Sequence, residues 1–83
     1  MSRFTVHVAV HLRDGIADPQ GATIERALPA LGFDDVSGVR SGKAFWLDVD
    51  AESPEAAAAR ADELCRRFLT NPVIESATVT VLS

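Results

Sequence analysis

Between Phe4 and Leu12 the chain alternates at a period of two. Phe4, Val6, Val8, Val10 and Leu12 fall on one face, and Thr5, His7, Ala9 and His11 on the other. Successive side chains of an extended strand point to opposite faces, so this pattern specifies a strand with one buried apolar face. Such a face needs a cover, and a chain of 83 residues has room for a single core to provide it. A domain of that size buries only about 60% of its unfolded surface. With one cysteine, Cys65, and two histidines, neither a disulfide nor a chelating set is at hand. Association with other chains is the expected source of further burial.

Past the strand, Arg13-Asp14-Gly15 breaks the pattern and Asp18-Pro19-Gln20-Gly21 opens a helix. Asp18 can accept hydrogen bonds from first-turn amides, and Pro19 fits the first helical position, where no N–H is needed. Ile24, Ala27, Leu28 and Leu31 form one apolar stripe. Pro29 lies inside that stripe, so the helix is expected to kink or loosen there, and Gly32 to stop it. Val36 to Ser41 and Ala44 to Asp50 read as two strands joined by a tight turn at Ser41-Gly42. Ser53-Pro54-Glu55 caps a second helix with a buried stripe of Ala57, Ala61, Leu64, Cys65 and Phe68. Asn71-Pro72 ends it, and Val73 to Leu82 reads as a last strand. The order is βαββαβ in one domain, residues 1–83. The expected fold is α+β and ferredoxin-like, a four-stranded antiparallel sheet with two helices on one face.

Twelve carboxylates against eight basic side chains give a net charge of −4, the wrong sign for replacing phosphate counterions on nucleic acid. No apolar run approaches the roughly 20 residues that span a bilayer. Met1-Ser2-Arg3-Phe4 leads into a strand rather than a signal peptide, and one thiol gives no sign of an oxidising compartment. A cytoplasmic chain with no membrane contact is expected. Phe45, Leu47 and Val49 share the apolar side of the sheet, which leaves Trp46 with Ala9 and the threonines of the last strand on the uncovered side. A tryptophan among small residues there marks Trp46 as the candidate for self-association.

Few residues invite chemistry. His7 and His11 are four apart on a strand, roughly 13 Å at ~3.3 Å per residue, too far to share a metal ion. Cys65 lies on a buried helical stripe and reads as a small core residue. Asp48 and Asp50, with Asp34-Asp35 before them, could serve as a carboxylate pair, but at a strand's end they read as solvated edge charges. No phosphate loop, GxGxxG, GxSxG or CxxC is present. Catalytic, cofactor and metal residues are therefore all expected to be none. Three polar clusters with turn chemistry remain: Asp18-Pro19-Gln20-Gly21, Arg40-Ser41-Gly42-Lys43 and Asn71-Pro72-Val73-Ile74-Glu75.

These clusters, in this order, resemble the PurS family of small subunits of phosphoribosylformylglycinamidine synthase. Val6-x-Val8, Ala27-Leu28, Leu31-Gly32-Phe33, Val39-Arg40-x-Gly42-Lys43, Leu64-Cys65 and Phe68-Leu69 extend the resemblance over nearly the whole chain. Pro29 and Ser76-Ala77 depart from the family's pattern. The resemblance implies a noncatalytic accessory subunit in de novo purine biosynthesis, a required part of a glutamine-dependent, ATP-using ligase. Its implied partners are a glutaminase subunit and a large ATP-dependent synthase subunit, with this chain assembling the two and assisting ammonia transfer. It implies a homodimer or dimer of dimers, with ATP and magnesium bound on another subunit. The expected partner contacts are Asp18, Gln20, Gly21, Arg40, Gly42, Lys43, Asn71 and Glu75. The alternative is a free-standing ACT-like module that binds a small regulatory molecule.

Overall fold

The computed structural model describes residues 1–83. The alternating segment forms β1 (Ser2–Leu12), the central strand of a three-stranded antiparallel sheet ordered β2-β1-β3. Its neighbours are β2 (Gly42–Ala51) and β3 (Glu75–Val81). Val6 lies opposite Leu47 and Val81, and Val8 opposite Phe45 and Val79, so one face is apolar across all three strands. On the other face His7 lies opposite Trp46 and Thr80.

One helix, α2 (Pro54–Leu64), roofs the apolar face. Ser53 caps it, accepting a hydrogen bond from the Ala56 amide at 3.1 Å. Ala57 and Ala61 are buried, and their small side chains let the helix lie close on Val6, Val8 and Val10. Ala57, Ala61, Cys65 and Leu69 recur every four residues, a spacing that drifts off one face of a helix with 3.6 residues per turn. The last turn, Cys65–Leu69, is widened to a π-turn, which keeps Leu69 against the core. It also leaves Phe68, expected in the buried stripe, 80% exposed.

The expected four-stranded sheet is not formed. Residues 36–41 carry no strand, and β2 starts where the hairpin turn was expected. The reason lies in the helix before them, α1 (Pro19–Ala27). Its Glu25 carboxylate accepts the Val39 amide at 2.9 Å, and Asp18 accepts the Ser41 amide at 2.6 Å. Amides that a strand would have given to a neighbour are held by side chains of α1. Gly38, at φ +69°, breaks the extended run between them.

Nor do two helices cover the sheet. Pinned to residues 39–41, α1 contributes no side chain to the core, and its only buried residue is Gly21. Pro29 acts as its geometry requires: α1 ends at Ala27, a 3₁₀ turn follows at Pro29–Leu31, and Gly32 closes it at φ +89°. The last strand is shorter than its apolar pattern, since Asn71 to Ile74 form a turn before β3. The fold is α+β with three strands and one covering helix.

Candidate functional site

The three polar clusters, far apart in sequence, meet at the end of the sheet where β1 finishes and β2 and β3 begin. Asp18 is the keystone. Its Oδ1 accepts the Gly21 amide at 3.0 Å and the Ser41 hydroxyl at 2.7 Å, while Oδ2 accepts the Ser41 amide at 2.6 Å. Every one of these bonds favours the ionised form, the Ser41 amide most, and holds the carboxyl at about 2 instead of the ordinary 3.8.

Two glycines of the clusters are there for space. A Cβ on Gly21 would lie 2.6 Å from both Asp18 Oδ2 and the Val39 carbonyl oxygen. A Cβ on Gly42 would lie 2.5 Å from the Val10 carbonyl oxygen. Any larger residue at either position forces backbone apart. Asp18 and Gly21 thus join α1 to residues 39–41, and Gly42 lets β2 lie close against β1.

Asn71 and Glu75 build the third corner. The Asn71 side chain accepts the Val73 amide at 3.1 Å, and its carbonyl accepts the Glu75 amide at 2.8 Å. Glu75 in turn accepts the Asn71 amide at 2.8 Å and lies 3.6 Å from the Lys43 ammonium. Arg40 donates to the Leu12 carbonyl at 3.1 Å, with Asp14 3.9 Å away. Of the eight residues, Gln20 alone has an exposed side chain with neither a hydrogen bond nor an ion pair. It borders a recess of about 280 Å³ with His11, Ser41, Lys43 and Glu75.

Three residues of this joint escaped the reading of local patterns. Glu25 binds the Val39 amide, Arg13 donates to the Pro72 carbonyl at 3.0 Å, and His11 shares a 2.9 Å hydrogen bond with Ser76. Glu25 follows Asp18 by seven residues, two helical turns, so the two carboxylates share one side of α1. That spacing is the signal that could have found it. Away from the joint, His7 packs edge-on against Trp46 with ring centroids 5.1 Å apart. Asp48 accepts the Thr5 hydroxyl and Asp50 pairs with Arg3, each at 3.2 Å. Cys65 is buried as its stripe placed it, and burial pushes its thiol pKa up.

The sheet, its single roof and this polar joint define a small α+β protein with charged side chains around one end of the sheet. A family model, PurS, phosphoribosylformylglycinamidine (FGAM) synthase, matches residues 5–83. The Mycobacterium leprae phosphoribosylformylglycinamidine synthase subunit PurS is 42% identical over 80 residues, 96% of this chain and 95% of that protein. Its Archaeoglobus fulgidus counterpart is 41% identical over 68 residues, 82% of this chain and 85% of that protein. Among solved structures, a chain of PurLQS from Thermotoga maritima superposes with a TM-score of 0.89 at 36% identity, covering 99% of this chain and 100% of that one. PurS of Methanocaldococcus jannaschii, one of the subunits of formylglycinamide ribonucleotide amidotransferase, gives 0.86 at 32% identity, covering 96% of each chain. The chain belongs to the PurS family and is a subunit of phosphoribosylformylglycinamidine synthase in purine biosynthesis.

Proposed function

We propose that this chain acts without catalysing a step itself, by holding a glutaminase subunit and a large ATP-dependent synthase subunit together and assisting ammonia transfer between them. ATP and magnesium belong to another subunit in this reading, and the complex works in the cytoplasm. The observation that carries it is the division of labour at the joint. Asp18, Gly21 and Gly42 fix the backbone, and that frame displays Gln20, Arg40 and Lys43 outward. The likeness to a chain of the Thermotoga maritima PurLQS structure supports assembly with such partners.

Self-association belongs to the same reading. Trp46 is 67% exposed on the helix-free face, beside His7, and a second copy or second dimer fits there.

The test is reconstitution with the two partner subunits. Arg40→Ala with Lys43→Ala is expected to keep the fold at a cost of about 1–2 kcal/mol, from an exposed Arg40–Asp14 pair, the Arg40 bond to the Leu12 carbonyl and the pairing of Lys43 with a half-buried Glu75. It is expected to weaken assembly, with an effect that fades as salt rises. Full glutamine-dependent activity of the double variant at limiting subunit concentration would overturn the assignment of these cations to the contact.

A further inference from the structure

A guanidinium carries five N–H donors in a rigid fork. At the end of β1, Arg13 and Arg40 each commit one of theirs to a backbone carbonyl and keep the rest. Arg13 gives its Nε–H to the Pro72 carbonyl at 3.0 Å, and Arg40 gives one Nη2 N–H to the Leu12 carbonyl at 3.1 Å. Asp14, the one carboxylate that pairs with either, is fully exposed and 3.9 Å from Arg40 Nη1, beyond hydrogen-bond reach. The nearby carboxylates of Asp18 and Glu75 are turned onto the amides of Gly21, Ser41 and Asn71.

Both forks are held in place by the fold. One peptide unit joins their anchors: the Leu12 carbonyl accepts Arg40, and the Arg13 amide that follows it donates to the Ile74 carbonyl at 2.8 Å. A second device acts on Arg40 alone. The amides on either side of it, Val39 and Ser41, are both bound by carboxylates from α1 and its cap, Glu25 at 2.9 Å and Asp18 at 2.6 Å. A segment outside any strand is thereby splinted just before and just after the arginine. Holding a long side chain before it binds removes part of the ordering cost of binding.

Neither arginine lines a recess of the molecule. Small-molecule sites are concave, and a small anion on such open ground would be enclosed from one side only. A macromolecular partner brings the other wall. The net charge of −4 disfavours nucleic acid, and a guanidinium fork matches a carboxylate through two parallel hydrogen bonds.

We propose that Arg13 and Arg40 are a paired docking point for an acidic segment of a partner subunit, with Glu25 as the positioning residue for Arg40. Each guanidinium takes a carboxylate of that segment. The segment crosses the end of β1 from the β2 side, where Arg40 stands, to the β3 side, where Arg13 leans on Pro72. The inference rests on the assembly reading above and gives it a partner chemistry and a second arginine.

The test is titration of the labelled full chain with the two partner subunits, followed by fluorescence anisotropy. Arg13→Lys and Arg40→Lys keep the charge and lose the fork. Each is expected to weaken binding about fivefold or more, with the circular dichroism and light-scattering mass of the parent chain. Asp14→Asn removes a carboxylate that repels the segment and is expected to tighten binding about twofold. Glu25→Ala is expected to weaken binding, and Glu25→Gln to restore it, since its amide oxygen still accepts the Val39 amide. In an Arg40→Ala chain, Glu25→Ala is expected to add no further loss, because nothing remains to aim. Parent-like binding by both lysine variants would overturn fork recognition, and weaker binding by Asp14→Asn would overturn the acidic partner. A full additive loss from Glu25→Ala without Arg40 would overturn the positioning role. Inorganic phosphate bound by the chain alone, with assembly untouched by either lysine variant, would give the pair to a small anion instead. A parent chain that binds neither subunit would overturn the assembly reading itself, and this docking point with it.

Discussion

The body of the molecule and the arm made by α1 and the 3₁₀ turn after it are closed by different interactions. In the body, Val6, Val8, Val10, Ala57, Ala61 and Cys65 are at most 2% exposed, and apolar burial holds α2 on the sheet. In the arm only Gly21 is buried, and the carboxylates of Asp18 and Glu25 hold the backbone in place. Hydrophobic burial is non-directional and grows with area, so it favours a compact body. Hydrogen bonds to a carboxylate are directional, so two side chains suffice to fix where the arm points. The arm is positioned without using its apolar residues, and Ile24, Leu31 and Phe33 stay exposed.

If the body depends on apolar burial, a charge placed in it should abolish the fold. Val8→Asp buries an unpaired carboxylate at a fully covered position, and the whole chain is expected to lose its cooperative thermal transition. Retention of a sharp transition would show that the core is not where stability resides.

A smaller effect is expected from close backbone approaches, first between two strands of the body and then between body and arm. Gly42→Ala drives a Cβ to 2.5 Å from the Val10 carbonyl oxygen, and overpacking of this kind costs roughly 1–3 kcal/mol. The urea midpoint should fall with an unchanged slope. Gly21→Ala is expected to be more local, because its Cβ meets the Asp18 carboxylate and the Val39 carbonyl. Hydrogen exchange should accelerate through α1 and residues 39–41 while the amides of β1 keep their protection.

The arm should also respond to acid through Asp18. Asp18 has a folded pKa of about 2 against an ordinary 3.8. A depressed carboxylate contributes stability that is complete above its unfolded pKa and is lost as pH falls through the folded one. The clamp is therefore expected to hold fully above pH 3.8 and to loosen as pH approaches about 2, read at the Gly21 and Ser41 amides by NMR. Asp18→Asn should remove that acid-dependent step. The smallest change expected is Arg60→Ala, which removes an exposed i,i+3 pair with Glu63 and should alter stability by less than about 0.5 kcal/mol.

Much of this architecture is legible in short stretches of sequence. The strand through Phe4 to Leu12, the caps at Asp18 and Ser53, the loosening at Pro29 and the stop at Gly32 are all local. Each depends on a spacing of two to four residues and on a side chain's reach to its own backbone. The error at residues 36–41 has a different origin. Val36, Val39 and the Ser41-Gly42 pair satisfy strand and turn preferences, yet the competing acceptors are Glu25, 14 residues away, and Asp18, 23 residues away. Propensity weighs neighbours and cannot weigh a carboxylate that arrives from another helix. The candidate residues stand out in the sequence as turn formers, but which of them build the joint and which face outward is not visible in local patterns.

What the sequence by itself determined is the inventory: one α+β domain, which face of β1 is apolar, where helices begin and end, and a membership in PurS carried by three polar clusters. Only the tertiary structure decided that the clusters meet, that Asp18, Gly21 and Gly42 make a joint, and that one helix roofs the sheet while the other stands off it. Periodicity is set by backbone geometry within a few residues and survives in any fold that uses the element. The placement of α1 is set by two long-range carboxylate contacts. Those exist only after the chain has closed on itself.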